Sequence, residues 1–376
     1  MARATLRAVR RCPVMPEADF TLQYLAIERR LFTQTSAWVE FRRMTLVSPL
    51  WLGEEGALSD VVLSTRVRIA RNLLDLPFPH SATPEQLRSS RAIVTERLCD
   101  RFGPLKETPL EATSLDERAD FVGARIAGTA FWHPLPERSI LTSADLSLAG
   151  LANEEDHLRL QKAFRGWSAQ RAISHWEHLS ERIGTDWAHS RKLGYLTASP
   201  INLGGGARLG LMAHLPGLHR SGGSSRWIQA LQTLGATARG LYGEGSATVQ
   251  GFVQISALSG RSELSETVAQ IRAIVDSIAL AEREARQTIA SSDIKGELEE
   301  ALVVAVHSET LSLGACLKLI GACRMASMRE IVPAYYGEFD RLLFELPAYP
   351  PPEPAHAGAV RKSRIVSRLR AMQLVG

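Results

Sequence analysis

The sequence predicts an α+β protein in which an antiparallel β-sheet is flanked by helices and followed by a helical region. Strand-like and helix-like segments alternate from Asp60 to about Arg286. Few helical segments separate the strands, which favours antiparallel pairing because parallel neighbours need a long crossover connection. Beyond residue 288 the apolar positions keep a helical period and show no strand pattern. We therefore predict a sheet-containing domain at residues 44–287 and a helical domain at residues 288–376.

The first predicted strand carries arginines on only one of its faces. Every second residue of the segment Val61–Ile69 is apolar or threonine, the period expected of a strand packed against a core. The opposite face carries Ser64, Arg66 and Arg68. A second strand, predicted at Leu209–Leu215, has Arg208 on its polar side in the same way. A third strand is predicted at Phe252–Ala257.

Helices are marked by their start signals and by apolar spacing. Thr83 precedes Pro84 and is followed by Gln86, which is the residue pattern of a capped helix start. Apolar residues at helical spacing predict a long helix that includes Val268–Ile278. The basic stretch Arg361–Arg370 is expected to form a short terminal helix with a solvated charged face.

Composition narrows the class of protein. The chain has 376 residues, 45% of them hydrophobic, and lacks any apolar run long enough for a transmembrane helix. Its four cysteines have no metal-ligand spacing, which indicates a reduced, cytoplasmic protein. The net charge of +4 lies within residues 1–43, so nucleic-acid binding is not expected. That leader is a poor signal peptide, and Met44 is an alternative start.

Arginines recur beside a run of acids. Asn153, Glu154, Glu155 and Asp156 precede an arginine by a few residues. We predict that distant arginines converge on a triphosphate, because the planar guanidinium makes two hydrogen bonds to phosphate and keeps its charge. These arginines are Arg66, Arg68, Arg159, Arg208 and Arg239. The alternative is that the acids form a solvated helix start and that each arginine is a surface ion-pair partner.

Carboxylates suit a guanidinium co-substrate. A guanidinium has a pKa above about 12, so it must be oriented and must lose a proton before it attacks phosphorus. A carboxylate can do both. We predict that Glu155 and Glu244 hold the guanidinium in line with the outermost phosphate of the nucleotide.

Several segments together resemble the ATP:guanido phosphotransferase family. The matching segments occur in the family's order and span about residues 60–290; they are Leu63–Asn72, Asn153–Gln161, Gly194–Gly204, His214–Pro216, Arg239–Gly245 and Val253–Ser256. The resemblance implies the fold of a phosphagen kinase catalytic domain for residues 44–287. It also implies direct in-line phosphoryl transfer from ATP to a guanidino nitrogen, with Mg2+ carried by the nucleotide and no metal ligands from the protein.

The resemblance also implies roles for individual residues. The catalytic residues would be Glu155, Glu244 and Ser199. The nucleotide contacts would be Ser64, Thr65, Arg66, Val67, Arg68, Arg125, Arg159, Arg208, Leu209, Gly210, Leu211, Met212, Arg239, Gly240, Leu241, Tyr242 and Gly243.

Within the family, the chain resembles the branch that phosphorylates arginine side chains of proteins. Kinases of small guanidino compounds carry a helical domain ahead of the strand at Leu63–Asn72, and only a short segment precedes it here. Protein substrates are therefore expected, with an activator protein and a homodimer through the C-terminal helices as further possible partners. Three departures from the family are Ser199 in place of a reactive cysteine, Arg125 in place of a histidine, and Ala357–Lys362 in place of an arginine-containing motif that senses phosphoarginine.

Two other functions stay open on the sequence. The chain could phosphorylate a free guanidino compound, since Ser199 and the altered C-terminal motif depart from the protein-directed branch. It could also be a binding module for phosphoarginine or nucleotide that has lost turnover.

Overall fold

The computed structural model describes residues 49–184, 186–233, 236–241, 249–258 and 264–375. An eight-stranded antiparallel sheet dominates this part of the chain, with strand order β2-β3-β4-β5-β1-β8-β10-β9. Its strands are β1 (Val62–Arg71), β2 (Lys106–Pro109), β3 (Ser139–Thr142), β4 (Leu148–Ala152), β5 (Leu158–Arg165), β8 (Ala207–His214), β9 (Thr237–Arg239) and β10 (Phe252–Leu258). Two short strands, β6 (His189–Ser190) and β7 (Gly194–Tyr195), pair separately.

Helices lie before, between and after the strands. Those within the sheet-containing region are α1 (Pro84–Phe102), α2 (Leu115–Gly123), α3 (Ala169–Arg182), α4 (Pro216–Arg220), α5 (Ser224–Thr233) and α6 (Leu264–Thr288). The C-terminal helices are α7 (Ser291–His307), α8 (Leu313–Met328), α9 (Tyr336–Glu345) and α10 (Ala357–Ala371). The prediction of an antiparallel sheet flanked by helices and followed by helices is confirmed. The boundary between the two predicted domains stays a prediction.

The local start signal of α1 works as the sequence predicts. The Thr83 side chain accepts a hydrogen bond from the Gln86 N–H, and the Gln86 side chain accepts one from the Thr83 N–H at 2.9 Å. This reciprocal cap satisfies two backbone donors that the first turn of a helix leaves free. The buried side of α1 then carries Leu87, Val94 and Leu98.

The two faces of the sheet have different tasks. On one face Val67 and Leu209 belong to a hydrophobic cluster with residues of α3, α5 and α6, and Ile69 belongs to a second cluster with α1. The other face carries Arg66 and Arg68, two residues apart on β1. Because side chains alternate along a strand, the apolar residues that anchor the sheet also fix the arginines on its opposite face.

The C-terminal helices share a core with the sheet. Met212 and Phe252, from β8 and β10, pack in one hydrophobic cluster with residues of α7 to α10. Asp340 of α9, fully buried, accepts hydrogen bonds from Arg165 Nη2 at 2.5 Å and from Arg324 Nε at 2.6 Å. The buried Asp340 carboxylate thus supplies a counter-charge to both buried guanidiniums.

The expectation of a solvated basic face on the terminal helix is wrong. In α10 the side chains of Arg361, Arg364 and Arg368 are buried. Each pairs with an acid from another segment; the acids are Glu353, Asp120 and Glu338, respectively. These arginines recur at helical spacing on the side of α10 that packs against the rest of the protein. A helix that looks charged and solvated in the sequence therefore forms a set of internal ion pairs.

No helix within the described ranges is long and apolar enough to cross a membrane. The predicted leader at residues 1–43 and the alternative start at Met44 lie outside the described residues.

The buried His157 predicts how stability depends on pH. Its Nδ1 accepts the Leu73 N–H at 3.1 Å, and burial lowers the pKa of His157 from 6.5 to about 4. The unfolded chain therefore binds a proton below pH 6.5 that the folded protein takes up only near pH 4. The free energy of unfolding should fall as the pH drops through this window, with His157 contributing about 1.4 kcal/mol per pH unit.

The measurement is denaturant unfolding at pH 7, 6 and 5. His157→Asn keeps an acceptor oxygen but cannot titrate, so its pH slope should be smaller than the wild-type slope by about one proton. His189→Asn, at an exposed position, should leave the slope unchanged. Equal slopes for wild type and His157→Asn would show that His157 does not cause the effect.

Candidate active site

Three adjoining cavities lie on the arginine-bearing face of the sheet. The acidic cavity has a volume of about 500 Å³ and is lined in part by Glu154, Glu155 and Ser199. The arginine cavity, of about 230 Å³, shares its arginine wall with the acidic cavity; the shared residues are Arg68, Arg159, Arg208 and Arg239. The end cavity, of about 20 Å³, shares its lining with the arginine cavity at Arg66, Arg125, Gln161 and Gln254.

Antiparallel register brings the arginines together. Arg68 of β1 lies directly opposite Arg208 of β8, and Ala70 of β1 lies opposite Arg159 of β5. On the far side of β8, Gln254 of β10 pairs with Arg239 of β9. Side chains at such positions point to the same face of the sheet. Arginines that are far apart in the chain thus line one set of adjoining cavities.

The arginine cluster repels itself. Burial, followed by repulsion from Arg159 and other guanidiniums of the cluster, lowers the pKa of Arg66 to about 9. The pKa of Arg68 is also lowered, well below its usual value, first by burial and then by neighbours that include Arg66. Arg68 Nε is buried and has no hydrogen-bond partner within the described ranges. A ligand with several negative charges would relieve this repulsion, so the residues present fit a polyphosphate.

The first acid of the run serves as a counter-charge. Arg159 Nη1 donates to both carboxylate oxygens of Glu154, at 2.7 and 2.6 Å. The charge of Glu154 raises the pKa of Arg159. Glu154 is buried, whereas the next residue, Glu155, is exposed in the acidic cavity. All three acids of the run line the acidic cavity, but they differ in their contacts and exposure, and Glu155 is the exposed one.

The third acid holds the loop that carries Ser199. Asp156 Oδ1 accepts hydrogen bonds from Asn72 Nδ2 at 2.5 Å and from the Ala198 N–H at 2.7 Å. Asn72 also donates to the Leu196 carbonyl at 3.1 Å. Burial is the main cause that raises the pKa of Asp156. Asp156 and Asn72 thus join the end of β1, the acidic run and the Ser199 loop.

The glycine-rich segment packs closely against Arg71. The Arg71 guanidinium lies 3.4 Å from the centre of the Tyr195 ring, and its Nη1 donates to the Gly205 carbonyl at 3.2 Å. Gly206 has a φ of +59°, and a Cβ there would lie 2.4 Å from Arg71 Nη1. Glycine suits this position, which borders the acidic cavity, because any side chain would be strained at this φ and would displace the Arg71 guanidinium.

Arg125 adopts an unusual backbone conformation beside the arginine cavity. Its φ is +62°, which is uncommon for a residue with a side chain. Its carbonyl accepts hydrogen bonds from Arg66 Nη1 at 2.8 Å and from Gln161 Nε2 at 3.0 Å. The strand residues therefore hold Arg125 in place where it lines both the arginine cavity and the end cavity.

Most of the other predicted nucleotide contacts either line a cavity or lie beside one, and the rest fall on residues that the structure does not describe. Those that line the end cavity are Ser64, Gly210, Leu211 and Met212, and Leu241 lines the arginine cavity. Gly240 is buried between two lining residues. Tyr242, Gly243 and the predicted second clamp, Glu244, lie outside the described residues.

The side chains of three predicted contacts lie away from the cavities. Thr65 donates to the Gly166 carbonyl at 2.7 Å and accepts the Ser168 N–H at 2.9 Å, so its side chain fastens β1 to the turn after β5. Val67 and Leu209 lie in the hydrophobic core on the opposite face of the sheet. The prediction took whole segments of strand, and the alternation of side chains turns the side chains of Thr65, Val67 and Leu209 away from the cavities.

Sequence reasoning missed Gln161, Gln254, Glu154, Asp156 and Asn72 as contributors to the site. The two glutamines stand opposite arginine-bearing positions in neighbouring strands, so a correct register would have found them. The roles of Asp156 and Asn72 depend on contacts between distant segments and leave no local pattern. Glu154 pairs with Arg159 only five residues further on, and the sequence does not show which acid of the run makes that pair. Within the described ranges, no group of three or more His, Cys, Asp or Glu residues could hold a metal ion.

The fold and the arginine-lined cavities belong to a known class of phosphotransferase. The family model of the C-terminal catalytic domain of ATP:guanido phosphotransferases matches residues 94–285. The chain belongs to the ATP:guanido phosphotransferase family.

Relatives within the family are bacterial protein-arginine kinases. The chain is 30% identical over 290 residues to the protein-arginine kinase of Halothermothrix orenii, which covers 73% of this chain and 81% of that one. It is 32% identical over 301 residues to the protein-arginine kinase of Syntrophomonas wolfei, covering 75% and 82%.

Solved structures support the fold at lower identity. A lombricine kinase superposes with a TM-score of 0.53 at 22% identity, covering 62% of this chain and 70% of that one. The duplicated taurocyamine kinase from Schistosoma mansoni, solved with components of a transition-state analogue, superposes with a TM-score of 0.53 at 20% identity, covering 68% and 40%.

Replacing Arg68 by Gln should weaken anion binding without weakening the fold. Arg68 is buried among other guanidiniums, so the change removes repulsion together with an anion ligand. Loss of one charge-assisted contact should lower the affinity for inorganic tripolyphosphate about tenfold or more, measured by calorimetry. The free energy of unfolding of the ligand-free protein should stay equal or rise.

Arg272→Gln is the matched control, because Arg272 is exposed on α6 and pairs with Asp276 in its own helix. It should leave tripolyphosphate binding unchanged. Unaltered binding by Arg68→Gln, or a marked loss of its stability, would contradict the interpretation of the cluster as an anion site.

Proposed function

We propose that this protein phosphorylates arginine side chains of other proteins, by direct transfer of the γ-phosphoryl group of ATP to a guanidinium nitrogen. One observation carries the proposal. The same arginines line both the arginine cavity and the acidic cavity, and the acidic cavity also contains Glu155 and Ser199. A triphosphate held by this shared wall would have its outermost phosphate beside a carboxylate.

On the nucleotide side, the residues of this chain would act electrostatically on the phosphates. Arg68, Arg159, Arg208 and Arg239 would bind the phosphates from one wall, and Arg66 and Arg125 would extend the contacts toward the end cavity. Positive charge that is already in place stabilises the negative charge that develops on the transferring oxygens, and needs no reorganisation during the reaction. Magnesium bound to the nucleotide would supply further neutralisation of the phosphates.

On the acceptor side, Glu155 would orient the guanidinium and take its proton. The attacking nitrogen forms a bond to the γ-phosphorus, the bond from that phosphorus to the bridging oxygen breaks, and ADP leaves. Glu155 accepts the proton lost by the nitrogen. The Ser199 hydroxyl, held near the cavity by the Asp156 contacts, would hydrogen-bond the guanidinium. Glu244 as the second clamp stays a prediction.

A protein substrate is favoured over a free guanidino compound. The relatives that share about 30% identity over most of this chain are protein-arginine kinases. The acidic cavity, where the acceptor would enter, is bordered by the exposed Ile201 as well as by acids. An apolar rim suits an arginine that arrives within a polypeptide.

The setting and partners follow as proposals of the same kind. Cys99, Cys316 and Cys323 are free and buried, which suits a reducing compartment such as the cytoplasm. An activator protein and a homodimer through the C-terminal helices stay predictions.

Glu155→Gln should abolish phosphoryl transfer while nucleotide still binds. The amide cannot accept the guanidinium proton, so kcat should fall by about 100-fold or more. The arginine wall is unchanged, so the dissociation constant for ADP should stay within about threefold. The measurements are phosphoarginine formation by mass spectrometry and ADP binding by calorimetry.

Glu177→Gln serves as the control, because Glu177 is an exposed acid on α3 and does not line the cavities. It should transfer phosphate at the wild-type rate. Phosphoarginine formation by Glu155→Gln at the wild-type rate would remove Glu155 from the mechanism.

The choice of acceptor is tested by supplying wild-type protein and labelled ATP with either free arginine or a denatured protein mixture. We expect acid-labile, base-stable phosphate on arginines of the proteins and little on free arginine. Label on free arginine alone would support the free-guanidino kinase. Nucleotide binding without transfer to either acceptor would support the non-catalytic binding module.

A further inference from the structure

Two aromatic residues from outside the sheet close the end cavity. Trp51 and Phe344 line the end cavity opposite the sheet residues Ser64, Gly210 and Met212. Trp51 lies in a 3-10 helix before β1, and Phe344 lies in α9. Their rings meet edge to face, with centroids 5.4 Å apart and planes at 86°. Both residues are buried, at 3% and 2% exposure.

Contacts from the sheet position Phe344. Asp340 lies four residues earlier on α9 and therefore on the same side of the helix. It pairs with Arg165 of β5. Arg165 stands directly opposite Ser64 in the β1–β5 register, and Ser64 lines the end cavity. These contacts fix α9 against the strands that line the end cavity.

The order of the cavities indicates which part of a nucleotide would reach this end. If the phosphates occupy the arginine cavity and the acceptor occupies the acidic cavity with Glu155, the nucleoside must extend away from Glu155. The end cavity lies in that direction, since it shares Arg66 and Arg125 with the arginine cavity and does not include Glu155. Its volume of about 20 Å³ has room for about one water molecule, less than a purine needs.

We propose that Phe344, with Trp51 beside it, forms the end wall of the nucleobase subsite and limits the size of base that the site admits. The inference rests on the proposed function, because it takes the arginine cavity as the phosphate site. It makes the C-terminal helices part of the nucleotide site. A base enters by packing against the aromatic pair and by widening the space next to Gly210 and Met212.

The test enlarges the subsite and asks whether a larger base is then accepted. ADP, N6-benzyl-ADP and 2-methylthio-ADP are titrated by calorimetry into full-length wild type and Phe344→Ala. Wild type should bind ADP and should bind the two substituted nucleotides at least tenfold more weakly. In Phe344→Ala, the affinity of at least one substituted nucleotide, relative to ADP, should rise at least tenfold.

Phe339→Ala is the matched control. Phe339 lies on the same helix and is fully buried, but it does not line the end cavity. It should lose stability as Phe344→Ala does and keep the wild-type preference among the three nucleotides. Phe344→Leu, which removes less volume, provides a milder variant should the alanine variant fail to fold, and it should shift the preference in the same direction.

The outcomes separate this inference from the proposed function. Wild type that does not bind ADP would overturn the proposed function and the inference with it. Wild type that binds ADP, together with unchanged preferences in both Phe344 variants, would overturn the inference alone. A shift of equal size in Phe339→Ala would also overturn it, because the effect would then reflect general loosening of α9.

Discussion

Like charges held on one face of the central strands impose the main constraint on this structure. Arg68 and Arg208 stand directly opposite each other across β1 and β8, an arrangement that is destabilising in a sheet. Burial of Arg66 and Arg68 adds to the cost and lowers the pKa of both. The fold tolerates the cluster because the opposite face of the same strands is packed into continuous hydrophobic clusters. Stability supplied there permits positive charge to be assembled before any anion arrives.

The turn between β4 and β5 keeps one carboxylate exposed beside the arginine cluster. Such a carboxylate would otherwise form an ion pair with a neighbouring guanidinium. Glu154 forms the ion pair with Arg159, and this leaves Glu155 facing the cavity. Asn153 anchors the turn from behind, with a φ of +55° and hydrogen bonds to the Leu87 carbonyl at 2.9 Å and the Glu137 carbonyl at 2.8 Å. Three adjacent acids thus act as a counter-charge, a cavity group and a loop anchor.

The sequence predicts those features that depend on alternation and local caps. Short-range patterns, which involve only residues close together in the chain, predict the two faces of β1, the cap at Thr83 and the helices after residue 288. The contacts of Asp156 come from segments far away in the chain, and no local pattern contains them. The positive φ of Arg125 is of the same kind, because distant strand residues hold its carbonyl. The basic face of α10 was wrongly predicted to be solvated for a related reason, since its acidic partners lie on other segments.

The C-terminal helices meet the sheet-containing region at two places near the cavities. Arg364 of α10 pairs with the buried Asp120 of α2, and the chain after α2 lines that cavity. Gly123, at the end of α2, lies so close to the Leu346 carbonyl that a Cβ there would be 2.1 Å from it. At the second place, Asp340 pairs with Arg165 of the sheet. Removing these helices would break the Arg364–Asp120 and Arg165–Asp340 ion pairs and open the hydrophobic cluster shared with Met212. The geometry of the arginine cavity therefore depends on helices that lie outside its described lining.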